Sequence, residues 1–127
     1  MKNLILTICI SITLNIFSQE GWTKQTVYNL EKNIKGDEEL IKGNLVISFV
    51  TDSKLTMYYF DKSIHCKLFT LTPFTEEYTN SYKSMLNKNG KLLESNKWRF
   101  EGSNCYFIVT YEETTAGVKS FVWKMIL

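Results

Sequence analysis

His65 is the only histidine of the chain and is followed directly by Cys66, so this pair is the first candidate for catalysis or metal binding. Both residues lie in a run, Ile64 to Thr72, whose β-branched and aromatic side chains predict a strand. Adjacent strand residues point to opposite faces, which prevents His65 and Cys66 from holding one ion or forming a nucleophile–base pair. We therefore interpret His65 as a surface strand residue and expect no metal site.

Adjacent glutamates are the next candidates, as acid–base groups: Glu38-Glu39, Glu76-Glu77 and Glu112-Glu113. Catalysis by two carboxylates needs a cleft that gives them different environments, whereas these pairs lie beside predicted turns, where water solvates them. The sequence also lacks the motifs of phosphate-binding loops, dinucleotide-binding folds, zinc proteases and serine hydrolases. It favours a non-enzymatic protein without a cofactor, with an enzyme of unrecognised chemistry as an alternative.

Aromatic residues are abundant, with 8 Phe, 7 Tyr and 3 Trp. Tyrosines can line a pocket in which their hydroxyl groups orient a mostly apolar ligand, and Tyr58, Tyr82 and Tyr106 are the candidates for this role. The alternative is that these tyrosines belong to the core and rim of a small β domain.

Cys66 and Cys105 are the only cysteines beyond the N-terminal segment, and in an oxidising compartment such a pair usually forms a disulfide. In an eight-strand meander, Cys66 begins the fourth strand and Cys105 the seventh, at opposite ends of the fold and too far apart to bond. That topology predicts two free, buried thiols. A helix at residues 75–88 would instead reset the strand direction and bring both cysteines to one end.

Turn-forming residues divide the chain at intervals of about ten residues, as in small all-β domains. Alanine and proline occur once each, at Ala116 and Pro73, and this composition disfavours a helical bundle. Short strands with tight connections predict an antiparallel meander, closed as a barrel or folded as a sandwich. The predicted strands are Thr23 to Asn29, Leu45 to Thr51, Leu55 to Phe60, Ile64 to Thr72, Lys91 to Phe100, Cys105 to Glu112 and Val118 to Ile126.

The segment from Thr75 to Lys88 supports two interpretations. Thr75 suits a helix N-cap, and Tyr78, Tyr82 and Met85 share one helical stripe. Against a helix, residues 79–81 are poor helix formers, and residues 87–90 suit a four-residue turn. We favour the hairpin, with an eighth strand near residues 81–86, and keep an α+β fold with one helix at 75–88 as the alternative.

The N-terminus has the pattern of an export signal. Lys2 supplies a positive charge, the stretch from Leu4 to Phe17 is mostly apolar, and Ser18 is a small residue at a suitable cleavage point. The apolar stretch is shorter than the roughly 20 residues that span a bilayer, so we expect no stable membrane anchor. The sequence thus predicts a signal peptide at 1–18, a single domain at 19–127, and a location in the periplasm or outside the cell.

Charge gives no indication of a nucleic-acid partner. The chain has 15 Lys and Arg against 13 Asp and Glu, without the basic stripe that releases counterions from a phosphate backbone. Basic and aromatic residues do alternate from Lys97 to Phe100, but a strand with Trp98 and Phe100 inward explains that pattern.

Several predicted strands are apolar on both faces. Leu45, Ile47 and Phe49 lie on one side of their strand, while Val46 and Val50 lie on the other. A sheet with one wet face would alternate more cleanly, so some outer surface is expected to be covered by a helix, a subunit or a partner. Among the inward positions, the predicted core residues are Ile47, Phe49, Met57, Leu68, Trp98, Phe100, Phe107, Val109, Phe121 and Trp123.

These observations favour an exported, non-enzymatic binding domain that holds a small apolar ligand inside a β-barrel. The alternative is a protein-interaction module, such as an inhibitor or a subunit of an envelope complex, that uses an outer β face. A continuous interior cavity favours the first function, and a filled interior with a large outer aromatic patch favours the second. The oligomeric state stays open.

Overall fold

The computed structural model describes residues 21–32, 34–102, 104–114 and 116–127, so the predicted signal peptide lies outside the described residues. The described chain folds into two helices and eight strands. In chain order these are α1 (Lys24–Leu30), β1 (Asp37–Ile41), β2 (Asn44–Val50), β3 (Lys54–Phe60), β4 (Cys66–Pro73), α2 (Glu76–Asn89), β5 (Lys91–Glu94), β6 (Lys97–Glu101), β7 (Tyr106–Glu113) and β8 (Lys119–Ile126).

All eight strands belong to one antiparallel sheet, in the order β1-β2-β3-β4-β8-β7-β6-β5. Each half of the sheet is a four-strand meander, and the β4–β8 pair joins the two halves. Helix α2 carries the chain from β4, in the middle of the sheet, to β5 at its far edge. The predicted antiparallel, mostly β fold with eight strands is confirmed, and the sheet is not closed, because β1 and β5 lie at its two edges.

The hairpin predicted near residues 81–86 is wrong, and the helical alternative is right. Thr75 caps α2 by accepting a hydrogen bond from the Tyr78 backbone N–H at 3.1 Å. Tyr82, Met85 and Leu86 are buried along one stripe of the helix. The cap and the stripe together outweigh the weak helix propensity of residues 79–81, because burial of an amphipathic face stabilises a helix more than propensity does.

The strand predicted from Thr23 to Asn29 is also wrong, since this segment forms α1. Thr23 caps the helix through the Thr26 backbone N–H, and Val27 and Leu30, one turn apart, are buried. Just before the helix, Trp22 and Cys66 exchange two backbone hydrogen bonds of 2.9 and 2.8 Å. This bridge ties the start of α1 to the start of β4.

Strand β1 was not predicted, because its sequence shows no apolar alternation. All five of its residues are exposed, as is usual for an edge strand with one hydrogen-bonded neighbour. A two-residue turn joins it to β2: Lys42 and Gly43 both have positive φ angles, of 53° and 84°. This is the hairpin turn that matches the twist of the strands.

The run predicted as one strand from Lys91 to Phe100 is a hairpin of β5 and β6. Glu94 pairs with Lys97, and Asn96 in the intervening turn has a φ angle of 60°. Gly90 links α2 to β5 where space is scarce, since a Cβ atom there would lie 2.9 Å from the Leu86 carbonyl oxygen and 3.1 Å from that of Arg99.

One face of the sheet, which we call the covered face, packs against both described helices. Its buried side chains join those of α1 and α2 in a single core cluster. Ring contacts cross the layers, with Tyr82 of α2 lying 4.6 Å from Phe121 and Trp22 lying 5.5 Å from Phe69 between centroids. We call the opposite surface the open face.

Eight of the ten predicted core residues are buried on the covered face, and Met57 and Leu68 are not. Both are half-buried on the open face. Their neighbours Tyr58 and Phe69 point to the helices instead, so the alternation of β3 and β4 was assigned in the wrong phase. Because these strands are apolar on both faces, the pattern alone does not choose between the two phases.

Both cysteines are free, Cys66 being buried and Cys105 half-buried. Strands β4 and β7 each run antiparallel to β8, so they are parallel to each other and begin at the same end of the sheet. Helix α2 thus brings the two cysteines to the same end of the sheet, as expected for the helical alternative. However, β8 lies between the two cysteines, and two strand spacings, about 9–10 Å, exceed the roughly 7 Å Cα separation that a disulfide tolerates.

Candidate binding face

The open face carries a row of side chains that crosses all eight strands in register. From the β1 edge to the β5 edge, the row consists of Glu39, Val46, Tyr59, Leu68, Lys124, Ile108, Arg99 and Lys91. It is acidic at the β1 edge, apolar over β2 to β4, and mostly basic from β8 to β5. The strand register thus orders the side chains of this row from acidic through apolar to basic across the face.

A second row lies beside the first and carries charged residues only at its two ends. Its members are Asp37, Ser48, Met57, Thr70, Val122, Thr110, Lys97 and Glu94. The side chains between its charged ends are half-buried by their neighbours on the sheet. Apart from Val46, which is buried at 3% exposure, the centre of the open face consists of half-buried aliphatic, aromatic and threonine side chains.

Arg99 is held in place on the basic side of this face. Its guanidinium group lies 3.7 Å from the centroid of the Tyr106 ring, and its Nε donates to Glu101 Oε1 at 2.5 Å. A guanidinium group ordered in this way presents its remaining N–H donors in a defined direction, which suits recognition of a carboxylate.

A groove of about 370 Å³ opens where β3 turns into β4. Tyr59 and Leu68, which belong to the first row, line it together with Phe60, Asp61, His65 and Lys67. Lys67 and Asp61 form a loose ion pair of 3.7 Å at this site. The groove therefore extends the apolar part of the open face towards a polar rim.

His65 lies in the turn just before β4 and is half-buried, with Asp61 and Ser63 close by. Asp61 Oδ1 accepts from the Ser63 hydroxyl at 2.7 Å and from the Ser63 and His65 backbone N–H groups. Hydrogen bonding from Ser63 lowers the pKa of the Asp61 carboxyl. The Ser63 hydroxyl also lies 3.1 Å from His65 Nδ1, so Ser63 lies between Asp61 and His65. In a hydrolytic triad the histidine lies between the serine and the acid, so these three residues do not have the order of a triad. This arrangement orders the turn.

The three candidate tyrosines do not converge on one site. Tyr58 and Tyr82 are buried in the core beneath the helices, whereas Tyr106 is half-buried on the open face. Burial raises the pKa of both core tyrosines well above that of an exposed phenol. Tyr106 is thus the one candidate that an external partner can reach.

A small polar cluster lies inside the core around Tyr58. Its hydroxyl donates to Glu31 Oε2 at 2.5 Å, and Glu31 is itself buried. Three further polar atoms of the described core are also buried: Thr56 Oγ1, Tyr82 Oη and Trp123 Nε1. At 0–2% exposure their side chains are sealed from solvent, so the cluster offers no entry to a ligand.

The glutamate pairs do not form acid–base sites. Glu38 and Glu39 belong to a strand and point to opposite faces, as do Glu112 and Glu113. Glu76 and Glu77 occupy the first turn of α2, where carboxylates stabilise the helix dipole. Among the residues that the structure describes, no group of three or more His, Cys, Asp or Glu side chains is placed to hold a metal ion.

The charged residues of the first row, above all Lys124, Arg99 and Lys91, were not predicted as functional. A signal for Lys124 does exist, since it alternates with Trp123 and Met125 and must face away from the core. The alignment of these cations across strands depends on register between segments far apart in sequence, which alternation within one strand does not reveal.

Comparison with known proteins assigns no family. No protein-family model matches the chain, and no curated protein or solved structure is significantly similar to it. In the described part of the chain, no helix has the length and apolar character needed to cross a membrane.

Proposed function

We propose that this protein is an exported, non-enzymatic binding module that engages a protein partner through its open face. The observation that carries the proposal is the row of side chains that runs from Glu39 through an apolar centre to Lys124, Arg99 and Lys91. Protein interfaces combine an apolar, aromatic centre with a charged rim, and this face has both.

The filling of the core supports a partner outside the sheet over a ligand inside it. Trp123 lies between aromatic neighbours, with the rings of Phe69 and Phe100 each 5.3 Å from its own and that of Phe107 at 5.4 Å. These side chains occupy the space on the covered face that an interior ligand would need. The groove beside Tyr59 and Leu68, by contrast, opens to solvent on the other face.

Charge indicates what the partner presents. Lys91, Lys97, Arg99 and Lys124 all lie on the β5–β8 half of the open face. Glu94, Glu101 and Glu112 lie on the same half and offset most of this charge, so the aligned cations of the first row are what a partner would recognise there. A complementary surface has an apolar centre and carboxylates on the side that meets β5 to β8. An envelope-complex subunit and an inhibitor of an exported enzyme both fit this description.

In-cell photo-crosslinking tests the proposal. A photoreactive amino acid replaces Val122 on the open face or Glu77 on the solvent side of α2, which serves as the matched control. We expect a discrete protein adduct from position 122 and none from position 77. Equal adducts from both positions, or none from either, would overturn the proposal. A small apolar molecule retained in native mass spectrometry, with no protein adduct, would support the ligand-binding alternative in its place.

The crosslinked protein, once identified and purified, allows a quantitative test. Leu68→Lys places a charge in the apolar centre of the face, and we expect it to weaken binding by at least about tenfold. Asn80→Lys adds the same single charge on the solvent side of α2 and should leave the affinity unchanged. An affinity that Leu68→Lys leaves intact would show that the partner binds elsewhere.

A further inference from the structure

Strand β5 forms one edge of the sheet and pairs on one side only, with β6. All four of its residues are exposed, including Leu92 at 56% and Leu93 at 42%. The other side of the strand therefore presents unpaired backbone N–H and C=O groups beside two exposed leucines. An edge of this kind is a template for another strand.

The sequence of β5, Lys91-Leu92-Leu93-Glu94, is complementary to itself when two copies run antiparallel. Lys91 of one copy then lies opposite Glu94 of the second copy, and Leu92 lies opposite Leu93. By the two-fold symmetry each pair occurs twice. Opposite charges and apolar pairs directly across two antiparallel strands both stabilise the pairing.

The register within each copy places these side chains on the correct faces. Lys91 pairs with Arg99 and Glu94 with Lys97, so both charged residues lie on the open face. Leu92 pairs with Trp98 and lies on the covered face. The register shift between Leu92 and Glu94 lets two leucines fit between the two charged positions without reversing the face of Glu94. The ion pairs therefore form on the open face, while Leu92 lies on the covered face.

The opposite edge of the sheet does not have this property. If β1 pairs with itself about its centre, Glu39 lies directly opposite Glu39 of the second copy, and like charges in that position are destabilising. Pairing of β1 with β5 is heterologous and leads to a ring or an open chain, whereas β5 with β5 closes about a two-fold axis. The charge pattern thus selects one edge and one symmetry.

We propose that two copies of the protein associate through their β5 edges, antiparallel about a two-fold axis, and so form one continuous sheet. The loose ion pair that Glu94 makes within its own chain, 3.9 Å from Lys97, leaves its carboxylate accessible to Lys91 of the second copy. Four residues per strand bury less area than a standard interface, so we expect a weak, reversible dimer. This proposal does not depend on the partner of the open face.

Sedimentation velocity of the purified protein over a range of concentrations tests the dimer. We expect a reversible monomer–dimer equilibrium for the natural sequence. Glu94→Lys and Lys91→Glu each place like charges opposite each other in both symmetric pairs, and each should weaken self-association by about tenfold or more. Glu39→Lys, on the β1 edge, is the control and should have no effect.

The decisive measurement mixes the two single variants. Lys91→Glu and Glu94→Lys are complementary to each other, so their mixture should form a heterodimer with the affinity of the natural homodimer. The double variant that exchanges both charges should also recover self-association. A protein that stays monomeric at high concentration, or a mixture that fails to associate while each variant keeps its melting temperature, would overturn the proposal. So would a dimer that Leu68→Lys disrupts and the β5 variants do not.

Discussion

Strand β8 shows how differently the two faces of the sheet are used. Phe121 and Trp123 are fully buried against the helices, while Val122 and Lys124, which alternate with them, lie on the open face. The backbone pairing is the same for all four residues. The covered face consequently stabilises the fold, and the open face is available for binding.

Burial also distinguishes two tyrosine–glutamate hydrogen bonds of similar length. Tyr58 donates to Glu31 at 2.5 Å within the core, and Tyr28 donates to Glu38 at 2.6 Å at the surface. Glu38 also forms an ion pair of 2.8 Å with Lys24. Water can replace the surface bond when it is lost but has no access to the buried one, so environment decides how much each bond contributes to stability.

The largest expected effect is that of removing a large side chain from the covered face. Trp123→Ala should lower the free energy of unfolding by about 3–5 kcal/mol, because the cavity left among Phe69, Phe100 and Phe107 has no solvent to fill it. Val122→Ala, the next residue along the same strand, is the control and should cost about 1 kcal/mol or less. Urea denaturation measures both, and equal losses would refute the contrast between the faces.

The two tyrosines provide a second and smaller comparison. Tyr58→Phe should destabilise the protein by about 1–3 kcal/mol, because it leaves the buried Glu31 carboxylate without its donor. Tyr28→Phe removes an equivalent hydroxyl at the surface and should change stability by less than about 0.5 kcal/mol. Thermal unfolding of the two variants gives the comparison, and a larger loss for Tyr28→Phe would contradict it.

The two thiols should differ in reactivity rather than in stability. Burial raises the pKa of the Cys66 thiol to about 12, and its Sγ lies 3.2 Å from the Leu68 carbonyl oxygen. Cys105 is half-buried, and burial raises its pKa too. A thiol reagent applied at neutral pH should modify Cys105 in the folded protein and Cys66 only after unfolding. Modification of both at one rate without denaturant would show that the core opens at Cys66.

The smallest effect concerns acid stability at the surface. Hydrogen bonds from Lys24 and Tyr28 lower the pKa of Glu38 below its ordinary value of 4.5. A carboxyl whose pKa is lowered by folding stabilises the protein above its unfolded value, and this contribution disappears as the pH falls through the folded value. Because Glu38 is exposed, the loss should stay below about 0.5 kcal/mol. Glu38→Gln should flatten this part of the stability profile, and an unchanged slope would exclude the contribution.

How far the sequence predicts the fold depends on the segment. β7 and β8 were placed within a residue or two, because their apolar residues alternate and turns bound them. α1 was mistaken for a strand, since seven residues are too few for helical periodicity to outweigh β-branched composition. β1 was missed because a doubly exposed strand has no apolar pattern at all. The spacing of apolar residues shows which positions of an element are buried. It is therefore least informative for elements that are exposed on all sides or apolar on both faces.

By itself, the sequence determined the class of the protein: a small chain rich in aromatic and β-branched residues, cut by turns into short antiparallel strands. It also indicated that surfaces on both sides of the sheet need to be covered. The tertiary structure decided which face the helices cover, and therefore why Tyr58 and Phe69 are buried while Met57 and Leu68 are not. It also aligned Lys124, Arg99 and Lys91 in one row, because strand order and register join residues that lie far apart along the chain.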